Sequence, residues 1–200
     1  MGKECGPIRR VVFTGPSGAG KDEVMKILLD RLGEKAEKVV TYTTRKPRAG
    51  EVDGWDYHFV PTEEFLRMQD EGRFGDVVQY RIDAETDEID WKGTLKEDME
   101  FKEGKILFWR IDPGRAAEEA AKANPETVVV YVGVERLAVL RDRAKKRGDF
   151  DKKKFAKTLK KDWETWKANE EVFKSHAKIV VNREGKLDEA VEEVWDLIRR

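Results

Sequence analysis

A single cysteine, Cys5, has no partner for an internal disulfide, and the two histidines, His58 and His176, stand far apart without ligand-like neighbours. No Cys/His spacing describes a zinc site, and both histidines read as ordinary surface or strand residues. No apolar run approaches the ~18 residues of a membrane span. The N-terminal MGKECGPIRR has no signal-peptide core, so a cytoplasmic protein is expected. An excess of one charge is missing too: 40 Lys and Arg against 41 Asp and Glu leave a net charge of −1. No global basic field therefore directs the chain to nucleic acid or to an anionic membrane. Amides are scarce, with two Gln and three Asn, and that scarcity beside abundant Lys and Glu fits a heat-adapted protein. There are no repeats, no low-complexity tract and no linker long enough to split 200 residues into separate domains.

Apolar residues still make up 39% of the chain, enough for a folded core under a heavily charged surface. Their spacing alternates between strand-like and helix-like stretches. Ile8–Thr14 reads as a strand entering a Gly-rich turn, and Val24, Ile27, Leu28 and Leu32 lie on one face of a helix over Asp22–Leu32. A short strand is expected at Val39–Tyr42 and a helix at Thr62–Glu71. Thr94-Leu95-Lys96-Glu97 has capping-box spacing and predicts a helix that Gly104 closes. Lys105–Ile111 and Thr127–Val132 are near-continuous apolar runs, the pattern of strands buried on both faces of a parallel sheet. Helices are expected at Arg115–Ala123, Glu135–Arg147 and Lys152–Phe173, the last with Phe155, Leu159, Trp163, Trp166 and Phe173 on a buried stripe. Ala177–Val181 is a final strand before a helix lined by Leu187, Val191, Val194 and Ile198. The alternation implies an α/β domain with a parallel sheet flanked by helices.

Between the first strand and first helix, Gly15-Pro16-Ser17-Gly18-Ala19-Gly20-Lys21 fits G-x-x-x-x-G-K. Glycines let successive N–H groups of this loop face inward as an anion nest, the helix N-terminus adds positive potential, and Lys21 reaches the β- and γ-phosphates. The candidate ATP-binding residues are Gly15, Ser17, Gly18, Ala19, Gly20, Lys21 and Asp22. Position 22 departs from the pattern, which places a Mg²⁺-ligating Ser or Thr after the lysine. A carboxylate about 4 Å from a phosphate charge costs on the order of 4 kcal/mol at an effective dielectric near 20. Asp22 must therefore ligate the metal itself, pair with a cation or turn away; as a bare structural residue it suits the first turn of a helix. Asp22 is the candidate metal ligand. A second departure lies in ILFWRID, where Arg110 occupies the place of the strand-end carboxylate and Asp112 follows two residues on. The two departures are expected to be coupled.

After the second strand comes Thr41-Tyr42-Thr43-Thr44-Arg45-Lys46-Pro47-Arg48-Ala49-Gly50-Glu51, then Asp53-Gly54-Trp55-Asp56-Tyr57-His58-Phe59. Two arginines around a rigid proline can present forked guanidiniums to one phosphate. With GPSGAGK, G-x-D-Y-x-F and the terminal IVVN strand, this stretch resembles the guanylate kinases over essentially the whole chain. The resemblance implies a P-loop kinase fold with a core at 8–41, 96–141 and 166–200, an acceptor-nucleotide subdomain at about 42–95 and a helical lid at about 142–165. It implies transfer of a phosphoryl group from ATP to GMP or dGMP with Mg²⁺. By position, Arg45, Arg48 and Tyr57 would hold the GMP phosphate, and Thr41, Asp76 and Asp112 would read guanine. Arg143 and Arg147 would close over the transferring group, Asn182 would flank the ATP base and ribose, and Lys21, Arg45, Arg143 and Arg147 form the expected catalytic set. The expected partners are ATP and GMP, without nucleic acid or membrane, on a monomer or small homo-oligomer.

The chain also departs from that family. Its Y-G-T segment is missing, with only Gly93-Thr94 similar to it, so the place of a second phosphate-binding tyrosine is open. Thr158 stands where a further lid arginine is usual, beside Lys157, Lys160 and Lys161. The G-K-D sequence is shared with ribose 1,5-bisphosphate phosphokinases, which supplies an alternative acceptor. A non-catalytic phosphopeptide-binding module is the other alternative.

Overall fold

The computed structural model describes residues 7–48, 50–81, 89–147 and 150–199. In chain order the elements are β1 (Arg10–Thr14), α1 (Lys21–Leu32), β2 (Ala36–Val39), β3 (Tyr42–Thr43), β4 (His58–Phe59), α2 (Thr62–Asp70), β5 (Phe74–Arg81) and β6 (Ile89–Leu95). There follow α3 (Lys96–Met99), β7 (Ile106–Arg110), α4 (Pro113–Ala121), β8 (Thr127–Gly133), α5 (Leu137–Arg147), α6 (Lys152–His176), β9 (Ala177–Val181) and α7 (Leu187–Ile198). They fall into two units, one running to Glu37 and resuming at Glu103, the other Lys38–Lys102.

In the first unit the apolar runs form a five-stranded sheet in the order β2-β7-β1-β8-β9. β1 pairs in parallel with β7 and β8, and β8 with β9. Val11 and Phe13 of β1, Phe108 of β7 and Val130 and Val132 of β8 share one core cluster with Val24 and Leu28 of α1 and Val191 and Val194 of α7. Val12 and Trp109 point to the opposite face of their strands and are equally buried, so both faces of the sheet are covered. Each such side chain removes enough apolar area to contribute roughly 1.5–3 kcal/mol. No helix among the described residues is long and apolar enough to cross a membrane.

Several local expectations shift. The strand expected at Val39–Tyr42 is two strands in two different sheets, β2 and β3. The helix expected at 115–123 starts earlier, because Asp112 caps it through Gly114 N and Arg115 N and Pro113 sits in the first turn. α6 runs unbroken for 25 residues, so the expected lid boundary at 165 falls within one continuous helix. On its stripe, Phe155 and Leu159 pack on the core, and Trp166 stacks with the buried Phe173 beside Tyr131. Trp163 departs from that stripe: it is half exposed, with Lys167 over its ring.

The second unit is a four-stranded sheet in the order β4-β3-β6-β5, with β5 and β6 antiparallel. The capping-box expectation fails here. Thr94 lies buried in β6, Leu95 is the position before the helix, and α3 is a single short turn. Phe65 and Met68 of α2 pack on Phe74 and Leu95, with Tyr42, Val77 and Trp91 around them.

Candidate active site

Gly15 leaves β1 at φ +129, where a Cβ would stand 2.1 Å from the carbonyl oxygen of Val132. Gly20 opens α1 at φ +94, where a Cβ would meet Asn182 Nδ2 at 2.2 Å. Both places require glycine. Between them the loop carbonyls are held from one side. Arg143 Nη1 donates to Gly18 O at 3.1 Å and Ala19 O at 2.9 Å, and Asn182 Nδ2 donates to Ala19 O at 2.8 Å. Arg143 Nη2 also donates to Asn182 O at 3.3 Å, which ties the two buttresses together. In a trans peptide the following N–H points opposite to the carbonyl, so this buttressing aims N–H groups into the cradle. The first turn of α1 adds its own N–H groups and the positive end of its dipole.

Lys21 Nζ donates to Gly15 O at 3.0 Å and Pro16 O at 2.9 Å. Burial holds its pKa below the ordinary lysine value, Asp22 raises it, Arg110 lowers it, and Asp162 and Glu23 raise it. Asp22 Oδ1 accepts from Arg110 Nη1 at 2.8 Å, so the two departures from the phosphate-loop pattern are each other's partner. Of the alternatives open to Asp22, cation pairing is the one observed. No group of three or more His, Cys, Asp or Glu among the described residues forms a metal site, and one oxygen of Asp22 is already bonded to Arg110. Sequence reasoning missed Asp162, whose Oδ2 accepts from Ser17 N at 3.0 Å from 145 residues away. Burial raises the Asp162 pKa, while the Ser17 bond and the charges of Lys21 and Lys161 lower it.

The second unit has its own polar site. Along β6 side chains alternate: Trp91 and Leu95 face the apolar cluster, as does Gly93, where a Cβ would stand 2.8 Å from Phe74 and 3.0 Å from Phe65. Asp90, Lys92 and Thr94 therefore share the other face. A bulge at Gly75 shifts the register so that Phe74 opposes Leu95 in the core while Asp76 opposes Thr94 on the polar face. Thr94 Oγ1 lies 3.4 Å from Thr41 Oγ1, so Asp76, Thr94 and Thr41 form one row across three segments of this sheet.

Farther along the same face, Asp90 Oδ1 accepts from Thr43 Oγ1 at 2.7 Å and from Arg45 N at 3.3 Å. Glu51 grips Arg45 with both oxygens, at 2.6 and 2.7 Å, and also accepts from Arg48 N at 2.7 Å. The Arg45 guanidinium lies over the ring of Tyr57 at 4.9 Å. Burial pushes the Glu51 carboxyl up, but the bonds from Arg45 and Arg48 N and the charges of both arginines prevail and hold it at about 2.

The structure thus gathers Gly15, Ser17, Gly18, Ala19, Gly20, Lys21, Asp22, Arg143 and Asn182 at one cradle, and Thr41, Arg45, Arg48, Tyr57 and Asp76 around one polar sheet face. Arg48 has an exposed side chain, and it is its backbone N–H that Glu51 holds. Asp112 belongs to the first unit and caps α4. Arg147 ends α5, and its side chain lies outside the described residues, as do Ala49 and Gly148. Sequence reasoning gave no site role to Asp90 and Lys92 and read Thr94 as a helix cap, although the period-2 alternation through IDWKGTL puts all three on one face.

The family model described as guanylate kinase matches residues 8–200. A guanylate kinase of Onion yellows phytoplasma is 35% identical over 178 residues, covering 87% of this chain and 78% of the relative. A guanylate kinase of Caldanaerobacter subterraneus subsp. tengcongensis is 33% identical over 198 residues, covering 94% and 85%. The crystal structure of guanylate kinase from Anaplasma phagocytophilum shares the fold at a TM-score of 0.67 and 20% identity, covering 96% of this chain and 85% of that one. With a parallel sheet feeding a phosphate loop, this is a P-loop kinase fold, and the chain belongs to the guanylate kinase family of nucleoside monophosphate kinases.

Proposed function

We propose that the chain transfers the γ-phosphoryl group of ATP to GMP, giving ADP and GDP, with the donor phosphates in the cradle of Gly15–Lys21 and the acceptor on the polar face of the second unit. The observation that carries this reading is the company Arg45 keeps. A guanidinium fixed bidentately by Glu51 stands over Tyr57, on a sheet face that also holds the row Thr41, Thr94 and Asp76. That face offers cations for a phosphate at one end and a carboxylate with hydroxyls for a base at the other. Asp76 accepts from the N1–H and 2-amino groups of guanine together, a donor pair that adenine lacks, and the Thr41 hydroxyl adds a bond at the base.

In the cradle, phosphate oxygens take the N–H groups of the loop and of the first turn of α1, and Lys21 exchanges the carbonyls of Gly15 and Pro16 for phosphate. Arg143 and Asn182 keep the loop carbonyls turned away, and Asn182 flanks the adenosine end. Mg²⁺ would enter as part of the Mg·ATP substrate, and the Asp22 oxygen not bonded to Arg110 is the group that would meet it, lending charge neutralisation to the phosphates. Phosphoryl transfer needs little covalent help, so positioning and charge neutralisation by these groups supply the rate.

The test is an ADP-release assay with Mg·ATP and GMP, dGMP, AMP, CMP, UMP or ribose 1,5-bisphosphate. Turnover is expected with GMP and dGMP and is expected to fall at least about 100-fold in Arg48→Ala. Turnover with ribose 1,5-bisphosphate and none with GMP would overturn the reading.

A further inference from the structure

Lys92 is a strongly placed cation on the polar face that the assignments above leave unused. It is the middle residue of the Asp90, Lys92, Thr94 series on β6 and is paired across the ladder with Thr43 on one side and Val78 on the other. Its position therefore lies between the Asp90–Arg45 end and the Thr94–Asp76 end. The ammonium is held among aromatic faces, 5.4 Å from the ring of Tyr57 and 4.7 Å from that of Tyr80, and lies 3.7 Å from Asp90 Oδ2. Less than a quarter of the side chain is exposed. Tyr57 thus carries Arg45 and Lys92 on the same ring.

Two cations gathered on one aromatic ring repel each other, and the nearby carboxylates Glu51 and Asp90 are already engaged. Glu51 and Lys46 O take three of the five N–H groups of Arg45, which leaves two for a ligand. An ammonium has three donors and no acceptor, and among the described residues Asp90 is the carboxylate at salt-bridge distance from it. We infer that Lys92 is an acceptor-phosphate-binding residue, which with Arg45 and the Tyr57 hydroxyl receives a dianionic phosphate monoester. This rests on the reading of that face as the acceptor site and adds a fixed ammonium to it.

The experiment titrates the full chain calorimetrically with GMP, guanosine, ribose 1,5-bisphosphate and inorganic phosphate, for the wild type, Lys92→Met, Lys92→Arg and the double variant Asp90→Asn/Lys92→Met. In Lys92→Met, GMP affinity is expected to fall about 10- to 100-fold, the loss of a charge-assisted bond. Guanosine affinity and the KM for ATP stay unchanged, and Lys92→Arg recovers most of the loss. The double variant shows the same loss without an uncompensated Asp90. If Lys92→Met binds GMP like the wild type, or loses guanosine equally, the lysine does not hold the phosphate and the inference is overturned. A wild type that binds ribose 1,5-bisphosphate and not GMP removes the GMP reading alone, because the same variants still read Lys92 on that acceptor. A wild type that binds none of the four overturns both.

Discussion

The donor cradle and the acceptor face each keep a carboxylate where an anion belongs, but they recruit it from opposite distances along the chain. On the acceptor face Glu51 lies six residues from Arg45 and is bonded by that side chain and by Arg48 N. At the cradle Asp162 arrives from α6, 145 residues from the Ser17 N–H that it accepts. Their pKa values move in opposite directions. Glu51 is held at about 2, so its ionised form is favoured by folding, whereas burial raises Asp162 and its ionised form is disfavoured where it sits. The local carboxylate is a fixed part that aims an arginine, and it leaves donors of that arginine for the ligand. The distant one occupies the Ser17 N–H of the cradle, and on the proposed reading an incoming phosphate would have to displace it.

Breaking the donor side should produce the largest change. Arg110→Ala would leave the Asp22 carboxylate beside incoming phosphate without its cation, a like-charge contact worth up to roughly 4 kcal/mol at a dielectric near 20 before exposure of Asp22 reduces it. The KM for ATP is expected to rise about 10- to 100-fold, read in a coupled ADP-release assay with Mg²⁺ titrated. Adding Asp22→Ser to Arg110→Ala is expected to restore most of it. A double variant no better than the single one would show that the two positions are not coupled.

Glu51→Gln breaks the local carboxylate with a smaller effect. Arg45 loses its bidentate partner, and the KM for GMP is expected to rise about 10-fold while that for ATP holds. The same variant carries a pH signature. The folded-state pKa of Glu51 lies below its ordinary value of 4.5, so its contribution to stability is complete above 4.5 and is lost as pH falls toward about 2. Melting temperatures of the wild type and Glu51→Gln should differ at pH 6, and the gap should narrow below pH 4.5 and close only as pH falls through about 2. A gap that persisted at the lowest pH would remove the assigned cause.

What the sequence disclosed follows the same divide between local and distant. The phosphate loop was legible because its glycines answer to local backbone geometry at Gly15 and Gly20. The arginine loop was legible because Arg45, Arg48 and Glu51 act within one turn of chain. The polar face was harder. Thr94 and Glu97 imitate a capping box, and only the tertiary pairing of β5 with β6 settles that Thr94 belongs to a strand. The bulge at Gly75, which puts Phe74 and Asp76 on opposite faces, also exists only in the ladder. Trp163 had the spacing of a core residue but falls on the exposed side of α6, since two successive four-residue steps carry it roughly 80° round the helix from Phe155. No sequence pattern marks Asp162, because its partner is a backbone N–H of another element.

The smallest expected effect probes that distant carboxylate. Asp162→Asn keeps an oxygen for the Ser17 N–H but removes the charge that competes with phosphate. The side chain is part-buried, so its charge is screened less than on an open surface. ATP affinity is expected to rise about 3- to 10-fold, read by titration with a non-hydrolysable ATP analogue, with the KM for GMP unchanged. The wild type should approach the variant as pH falls, because the raised pKa of Asp162 means that its proton returns at a higher pH than an ordinary aspartate would allow. Weaker ATP binding in Asp162→Asn would show instead that the carboxylate assists the bound state, through its charge on Lys21 or through the metal that ATP brings. In that case the distant carboxylate would be as much a working part of its site as Glu51 is of the other.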